Sequence, residues 1–373
     1  MKTYFVTGAT GTVGAALVPR LLLDDDAQIR LLIRAESREH LQSRFEELLS
    51  FWGESSEGIL SRIKAIRGDA VLPYFGMSPG DYDALAGECT HIIHSSGAVR
   101  MNLPLAEARE LAVGSAKNIA ALAHACNDRG RLRKVEFVST IGVGGKMAGA
   151  VPEAWIDEKR EFHNTYEEAK AEAESYIARE LEAGLPITVH RPSMVVGDSR
   201  TGRIIHFQVF YHICEFLSGR RTLGVLPAIR NTRLDTVPAD YVARAIAWSS
   251  GQDSTIGKIV HLCSGPEEAI EIDALAESVR KIFRASGENL PGSVEIPLGL
   301  FKAGAPVLGR FVPRDKRSAM QVLPYLFAYM EEKQSFANSA SRQMLKRAEI
   351  ELPLVNEYLG NVLRYYLQRR KAH

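Results

Sequence analysis

Met1-Lys-Thr-Tyr-Phe-Val-Thr-Gly-Ala-Thr-Gly-Thr-Val-Gly14 sets the apolar, β-rich run Tyr4-Phe5-Val6 directly before three glycines, Gly8, Gly11 and Gly14. Helical apolar spacing follows from Ala15 to Leu23, so the order is strand, glycine turn, helix. Such a turn lets backbone N–H groups close on a pyrophosphate, and the positive end of the next helix favours its charge. Thr10, Thr12 and Val13 complete the turn and join the three glycines as expected dinucleotide contacts. The spacing Gly-x-x-Gly-x-x-Gly is a weak signal alone; its place straight after a strand gives it weight.

Working outward, strands are expected at Ile29 to Ile33, Ile63 to Arg67, His91 to His94, Lys134 to Ser139 and Ile187 to Arg191, with polar helical segments between them. That alternation predicts a doubly wound parallel sheet, an α/β Rossmann fold. It weakens after Pro192, where aromatics, Arg, Pro and Gly accumulate, and strand character returns at Lys258 to Cys263. The expected division is an NADP-binding domain over 1–196 with a return segment near 234–264. Residues 197–233 and 265–373 then form a smaller, mainly helical substrate-binding domain.

The chain has 373 residues, 46% hydrophobic and 24% charged, a composition that excludes disorder. A formal charge of +1 gives no concentrated basic footprint for nucleic acid. Cys89, Cys126, Cys214 and Cys263 are scattered, without metal-ligand spacing, so no metal is expected and the thiols read as reduced core residues. The N-terminus enters a strand at once, and no stretch has the length and apolarity of a leader or transmembrane segment. A cytoplasmic location is expected.

Arg34 follows the second strand, where a cofactor with a free 2′-hydroxyl would meet an acidic residue. A guanidinium suits a 2′-phosphate, which predicts NADPH, with Arg44 on the next helix as a second contact or a solvated side chain. Asp69, before Ala70, is either an adenine contact or a turn former. His94-Ser95-Ser96-Gly97-Ala98 brings small residues after the fourth strand, which suits a backbone running beside the ribose and diphosphate. His94 itself reads as a packed strand residue. Tyr166-Glu-Glu-Ala-Lys170 opens a helical segment to about Glu182, so Tyr and Lys share a face. An ammonium near the phenol is expected to lower its pKa and make it a proton donor and acceptor. Ser139-Thr140, at the end of the preceding strand, offers a hydroxyl for a developing oxyanion.

Together these residues resemble the extended short-chain dehydrogenase/reductase superfamily over roughly residues 1 to 265. Arg34-Ala-Glu-Ser37, Arg44 before an aromatic, Trp52, Ile66 to Ser78, His190-Arg-Pro-Ser-Met-Val-Val-Gly197 and Leu234 to Val242 narrow the resemblance. They are similar to the thioester reductases, a group that includes fatty acyl reductases and the terminal domains of carboxylic acid reductases and of polyketide and nonribosomal peptide synthetases. The resemblance implies Thr140, Tyr166 and Lys170 as the catalytic set, with Ser139 second for the hydroxyl role. It implies Ser95, Ser96, Gly97, Lys170, Pro192 and Ser193 as further cofactor contacts. One departure stands out: Ala112-Val-Gly-Ser115 lies where Asn-Val-x-Gly-Thr is usual, so the Asn of a proton relay is missing and a water is a candidate substitute.

The implied reaction is NADPH-dependent reduction of an acyl thioester, from CoA or a separate carrier protein, to the aldehyde and by a second reduction to the alcohol. An acyl chain is expected against Phe207, Phe210, Tyr211, Phe216, Tyr325, Phe327 and Tyr329, although core packing explains most such aromatics. Arg200, Arg203, Arg220, Arg221, Arg230 and Arg233 suit either a phosphopantetheine phosphate, an acidic carrier protein or a solvated surface. Leu352, Val355, Leu359, Val362, Leu363 and Tyr366 predict an amphipathic terminal helix that docks on its own domain, with peripheral membrane contact as the second reading. A reductase of a free aldehyde, ketone or sugar nucleotide and a non-catalytic NADP sensor are the rival functions.

Overall fold

The computed structural model describes residues 1–53, 57–97, 101–303 and 334–371. Seven strands form one parallel sheet: β1 (Lys2–Thr7), β2 (Ala27–Ile33), β3 (Ile63–Arg67), β4 (His91–His94), β5 (Lys134–Val138), β6 (Ile187–Pro192) and β7 (Ile259–Leu262). Their order across the sheet is β7-β6-β5-β4-β1-β2-β3. The chain therefore runs outward from β1 in one direction, returns and runs outward in the other. Where that direction reverses, between β1 and β4, the carboxyl ends of two neighbouring strands diverge into a crevice. Thr7 pairs with His94 at that edge, which sets the loops after β1 and β4 side by side.

The helices that matter here are, in chain order, α1 (Thr12–Leu21), α2 (Arg38–Trp52), α3 (Pro79–Glu88), α4 (Ser115–Asp128), α5 (Thr165–Glu182), α6 (Val209–Leu217), α7 (Ala239–Ser250), α8 (Ile272–Ala285), α9 (Ser339–Arg347) and α10 (Val355–Lys371). The central sheet strands are buried on both faces because both are covered; β1 buries Tyr4, Phe5 and Val6, while β5 and β6 also bury Lys134, Glu136, His190 and Arg191. One face carries α1 and α7, with Leu17, Val18, Ile29, Leu31, Val242 and Ile246 in the core. The other carries α4 and α5, with Phe5, Ile92, Ile119, Phe137 and Ile177. The strand expected to reach Ser139 ends at Val138, although the Ser139 N–H still donates to the His190 carbonyl of β6 at 2.7 Å.

A third core lies apart from the sheet, built from Phe210, Tyr211, Phe216, Val279, Phe283, Tyr358, Val362 and Leu363. Short strands stitch the surrounding loops together: Val225–Ala228 runs parallel to Val294–Pro297, and Met194–Val196 runs parallel to Thr236–Pro238. The terminal helix α10 buries its apolar face here, and its basic end is engaged: Arg370 pairs with Glu215 and Glu288. That face is covered by the chain itself, which removes the membrane-surface reading of the helix. Among the described residues no helix is long and apolar enough to cross a membrane, and none of the His, Cys, Asp and Glu side chains group as a metal site. All four cysteines are free and buried.

Leu363 has no exposed surface, so Leu363→Ala is expected to cost about 3 kcal/mol through lost burial and a residual cavity. The check is urea denaturation, with a lower midpoint and an unchanged slope.

Candidate active site

The glycine turn is tight because backbone fills the space that side chains would need. A Cβ on Gly8, whose φ is +76°, would stand 2.5 Å from the Ser95 carbonyl carbon, and one on Gly14 would stand 2.3 Å from the Gly8 oxygen. The Gly11 N–H closes the turn on the Gly8 carbonyl at 2.9 Å. Ser95 Oγ donates to the Thr7 carbonyl at 2.8 Å, locking the two loops together. This cradle fits a dinucleotide pyrophosphate at the N-terminus of α1.

At the far end of β2, Arg44 donates to the Arg34 carbonyl at 2.6 Å and to Thr10 Oγ1 at 3.1 Å. Arg34 is largely exposed, 4.0 Å from Asp69. Asp69 also accepts from the Val71 N–H at 3.2 Å, so the turn-forming role is present. The Ala70 carbonyl accepts from Asn118 of α4 at 2.9 Å. Trp52 at the end of α2 donates to the Ala15 carbonyl at 2.7 Å and holds α2 against α1.

Across the crevice, Tyr166, Lys170 and Glu174 follow one another at intervals of four on α5 and share a face. Each meets a successive residue at the end of β5. The Thr140 hydroxyl, itself accepting from the Gly142 N–H at 3.2 Å, bonds to Tyr166. Lys170 Nζ donates to the Val138 carbonyl at 2.9 Å. Ser139 Oγ donates to Glu174 at 2.7 Å, which takes Ser139 out of the catalytic hydroxyl role. Glu174 is in turn paired with Arg191 of β6, both buried, and Arg191 reaches the Pro152 carbonyl at 3.1 Å. Asn164 caps α5 by accepting from the Glu167 N–H at 3.0 Å.

The electrostatics correct one expectation. The Tyr166 phenol is not lowered; burial pushes it up to about 12, against a hydrogen bond from Thr140. Lys170 Nζ is committed to the Val138 carbonyl and lies 5.3 Å from the centre of the Phe137 ring. Burial also brings Lys170 down to about 8. Tyr166 is thus protonated throughout the neutral range, the form a proton donor needs.

His94 lies beneath this site as a packed residue, bonded to Thr7 Oγ1 at 2.8 Å and kept neutral by burial, with its pKa lowered to about 3. Gly97 faces Lys170: a Cβ there would come within 3.8 Å of Nζ. Pro192 ends β6, and Ser193, whose N–H bonds to the Leu262 carbonyl at 2.9 Å, follows it at the same end of the sheet. Ala98 lies outside the described residues.

The pocket at Tyr166 is lined by Leu103, Ala108, Leu111 and Ala112 together with Gly97 and Lys170. Sequence reasoning missed Leu103, Ala108 and Leu111: Leu103 lies in a bend, and the five-residue helix Leu105–Arg109 and the π-helical turn Glu110–Gly114 that carry the other two have no strong periodic signal. The wide turn points both Leu111 and Ala112 at the pocket, so the place of the missing Asn is apolar. Phe210, Tyr211 and Phe216, expected to line an acyl site, are instead buried in the third core, and Phe207 packs edge-on against Tyr211. Tyr325, Phe327 and Tyr329 lie outside the described residues.

Most of the arginine stretch stands beside acidic side chains, with Arg220 and Arg221 sharing Glu215. Arg220 meets Glu288 at 3.0 Å, Arg230 meets Asp273 and Glu295, Arg233 meets Glu271, and Arg221 lies 4.0 Å from Glu215. Arg203 donates to the Phe51 carbonyl, leaving Arg200 as an exposed residue of the set. Four of these six arginines, Arg220, Arg221, Arg230 and Arg233, thus have acidic neighbours.

Comparison with known proteins agrees with this geometry. The profile of the NAD-binding family described as male sterility protein matches residues 6–246. A linear gramicidin synthase of Brevibacillus parabrevis is 27% identical over 97% of this chain and 7% of its own length. Glycine betaine reductase of Emericella nidulans is 26% identical over 96% of this chain and 28% of its own. The chain thus spans a minor part of these relatives. The crystal structure of the terminal R domain from the myxalamid PKS-NRPS biosynthetic pathway superposes with a TM-score of 0.81 at 25% identity, covering 99% of this chain and 91% of that one.

Arg191→Met strands the buried Glu174 carboxylate without its counter-charge and is expected to destabilise the fold by about 3–5 kcal/mol. Arg191→Met combined with Glu174→Leu is expected to recover most of that loss, read by denaturant titration of both variants.

Proposed function

This chain belongs to the NAD-binding family described as male sterility protein, an oxidoreductase taking a nicotinamide cofactor, and from that premise we propose that it is an NADPH-dependent reductase of acyl thioesters. The observation that carries this reading is the convergence of Thr140, Tyr166 and Lys170 on one side of a crevice whose other side is the glycine turn. NADPH is supported by two arginines at the end of β2, where a 2′-phosphate would be met: the Arg44 guanidinium donates to the Arg34 carbonyl, and the Arg34 guanidinium is largely exposed. Gly8, Thr10, Gly11, Thr12, Val13 and Gly14 would hold the pyrophosphate, Asp69 and Ala70 the adenine, and Ser95, Ser96, Gly97, Pro192 and Ser193 the ribose and nicotinamide half.

The bound nicotinamide supplies hydride to the carbonyl carbon of the thioester. Thr140 donates a hydrogen bond to the carbonyl oxygen and Tyr166 gives it a proton, so that no free oxyanion has to persist in a half-buried site. The product is a hemithioacetal. Its C–S bond then breaks, the hydroxyl proton passes to sulfur, and aldehyde and thiol leave. Lys170, held on the Val138 carbonyl, orients a ribose hydroxyl and keeps positive charge beside the phenol as it gives up its proton. Leu103, Ala108 and Leu111 receive the apolar part of the acyl group.

The thioester would be carried by CoA or a carrier protein; the terminal R domain on which this chain superposes comes from a PKS-NRPS biosynthetic pathway, which supports a carrier-bound substrate. The body around the sheet, 1–196 with 234–264, holds the dinucleotide, and 197–233 with 265–373 serves the substrate, supported by the separate third core. Helix α9 is the exception in that division, since Leu345 packs with the sheet core.

Absorbance of NADPH is the test, followed with acyl-CoA thioesters, acyl-pantetheines and the matching aldehydes. Oxidation with thioesters is expected; oxidation with free carbonyls alone overturns the reading in favour of a general reductase. Tyr166→Phe is expected to lower turnover at least about a hundredfold while NADPH affinity, read by fluorescence, stays within about twofold.

The pH profile gives a second check. Lys170 loses its charge at about pH 8, so kcat/KM is expected to fall as a single deprotonation with a midpoint there, while Tyr166, at about 12, contributes nothing in that range. Stability moves the other way. Between the folded value of about 8 and the ordinary value of 10.5 the unfolded chain binds more protons, so this lysine makes folding more favourable as pH rises through that window.

A further inference from the structure

Two threonine hydroxyls flank the central glycine of the turn, and each is gripped by a side chain from elsewhere. Arg44 of α2 donates to Thr10 Oγ1 at 3.1 Å, and Gln208 Nε2 donates to Thr12 Oγ1 at 2.8 Å. Arg44 belongs to the sheet body. Gln208 comes from much further along the chain, immediately before α6, and its side chain does not cap that helix.

The backbone at Gln208 is fixed by the third core. Phe207 on one side packs edge-on against Tyr211 and Tyr366, each with ring centres 4.8 Å apart, and Phe210 has no exposed surface. The same segment grips the sheet body a second time, where Arg203 lies over the Phe51 ring at 5.1 Å. Gln208 is therefore a side chain seated by the third core whose amide ends in the dinucleotide turn.

A hydroxyl has one proton to give and two lone pairs to fill. By taking up a lone pair of Thr12, the Gln208 N–H leaves the Thr12 proton available as a donor at the first residue of α1, where an anion is favoured. We infer that Gln208 is a positioning residue for the cofactor: it presents Thr12 as a donor to the pyrophosphate and makes dinucleotide affinity depend on the seating of the 197–233 segment. The inference rests on the dinucleotide reading of the turn. It adds a contact from the substrate side that the glycine motif does not contain.

Calorimetric titration of NADPH and NADH into the full chain tests it without turnover. Gln208→Leu is expected to raise the Kd of the nucleotide that the wild type binds by about three- to tenfold, and Gln208→Glu, which adds a negative charge near the phosphates, by more than about tenfold. In a Thr12→Val background, Gln208→Leu is expected to add less than about twofold, since the hydroxyl it presents is gone. A purely structural role would lower the melting temperature of Gln208→Leu and leave Kd alone. Kd values within about twofold of wild type for both Gln208 variants, or additive effects of Thr12→Val and Gln208→Leu, overturn the inference alone. Failure of the wild type to bind either nucleotide overturns the dinucleotide reading and this inference with it.

Discussion

A buried carboxylate, Glu174, fixes the register of the α5 face that carries Tyr166 and Lys170. It stands on the same face of α5 as Tyr166 and Lys170, and it is joined to Arg191 of β6 and to Ser139 at the tip of β5. The three α5 residues therefore meet Thr140, Val138 and Ser139 in a fixed register, with the innermost contact a buried ion pair. Rotating α5 by one residue would break all three contacts together and move the phenol away from the crevice.

Such a pair is a poor source of stability, because removing both charges from water costs about as much as their attraction returns. Its effect is geometric. An unpaired Glu174 or Arg191 in that interior would be strongly unfavourable, so arrangements of α5 that separate them are excluded. The same low-polarity surroundings keep Tyr166 protonated and draw Lys170 down toward neutrality. Burial thus sets both the position and the protonation of Tyr166 and Lys170.

The sheet and cofactor turn were legible in the sequence because each depends on local signals: apolar runs of strand length, glycines after the first, and Arg34 at the second strand's end. Tyr166 and Lys170 were legible from their spacing and from lying one helix after Ser139-Thr140. The rest depends on partners distant in sequence. Arg220, Arg230 and Arg233 look like a basic patch until Glu288, Asp273, Glu295 and Glu271 arrive from later elements. Phe210 and Tyr211 look like a lining until α8 and α10 cover them. The apolar wall is spread over a bend at Leu103, a short helix that carries Ala108 and a π turn that carries Leu111, none with a period long enough to read. The lowered phenol pKa failed because spacing places an ammonium near the phenol but does not show the burial of the phenol itself, which raises its pKa.

The central claim is that hydride reaches a thioester carbonyl and a thiol then departs. Its most direct measurement is a single turnover with NADPH carrying deuterium at the transferable C4 position and an acyl-pantetheine substrate, with product aldehyde examined by mass spectrometry and free thiol titrated. The account predicts one deuterium at the aldehyde carbon and one thiol released per nucleotide oxidised. Nucleotide oxidation without thiol release, or aldehyde without the label, would contradict it.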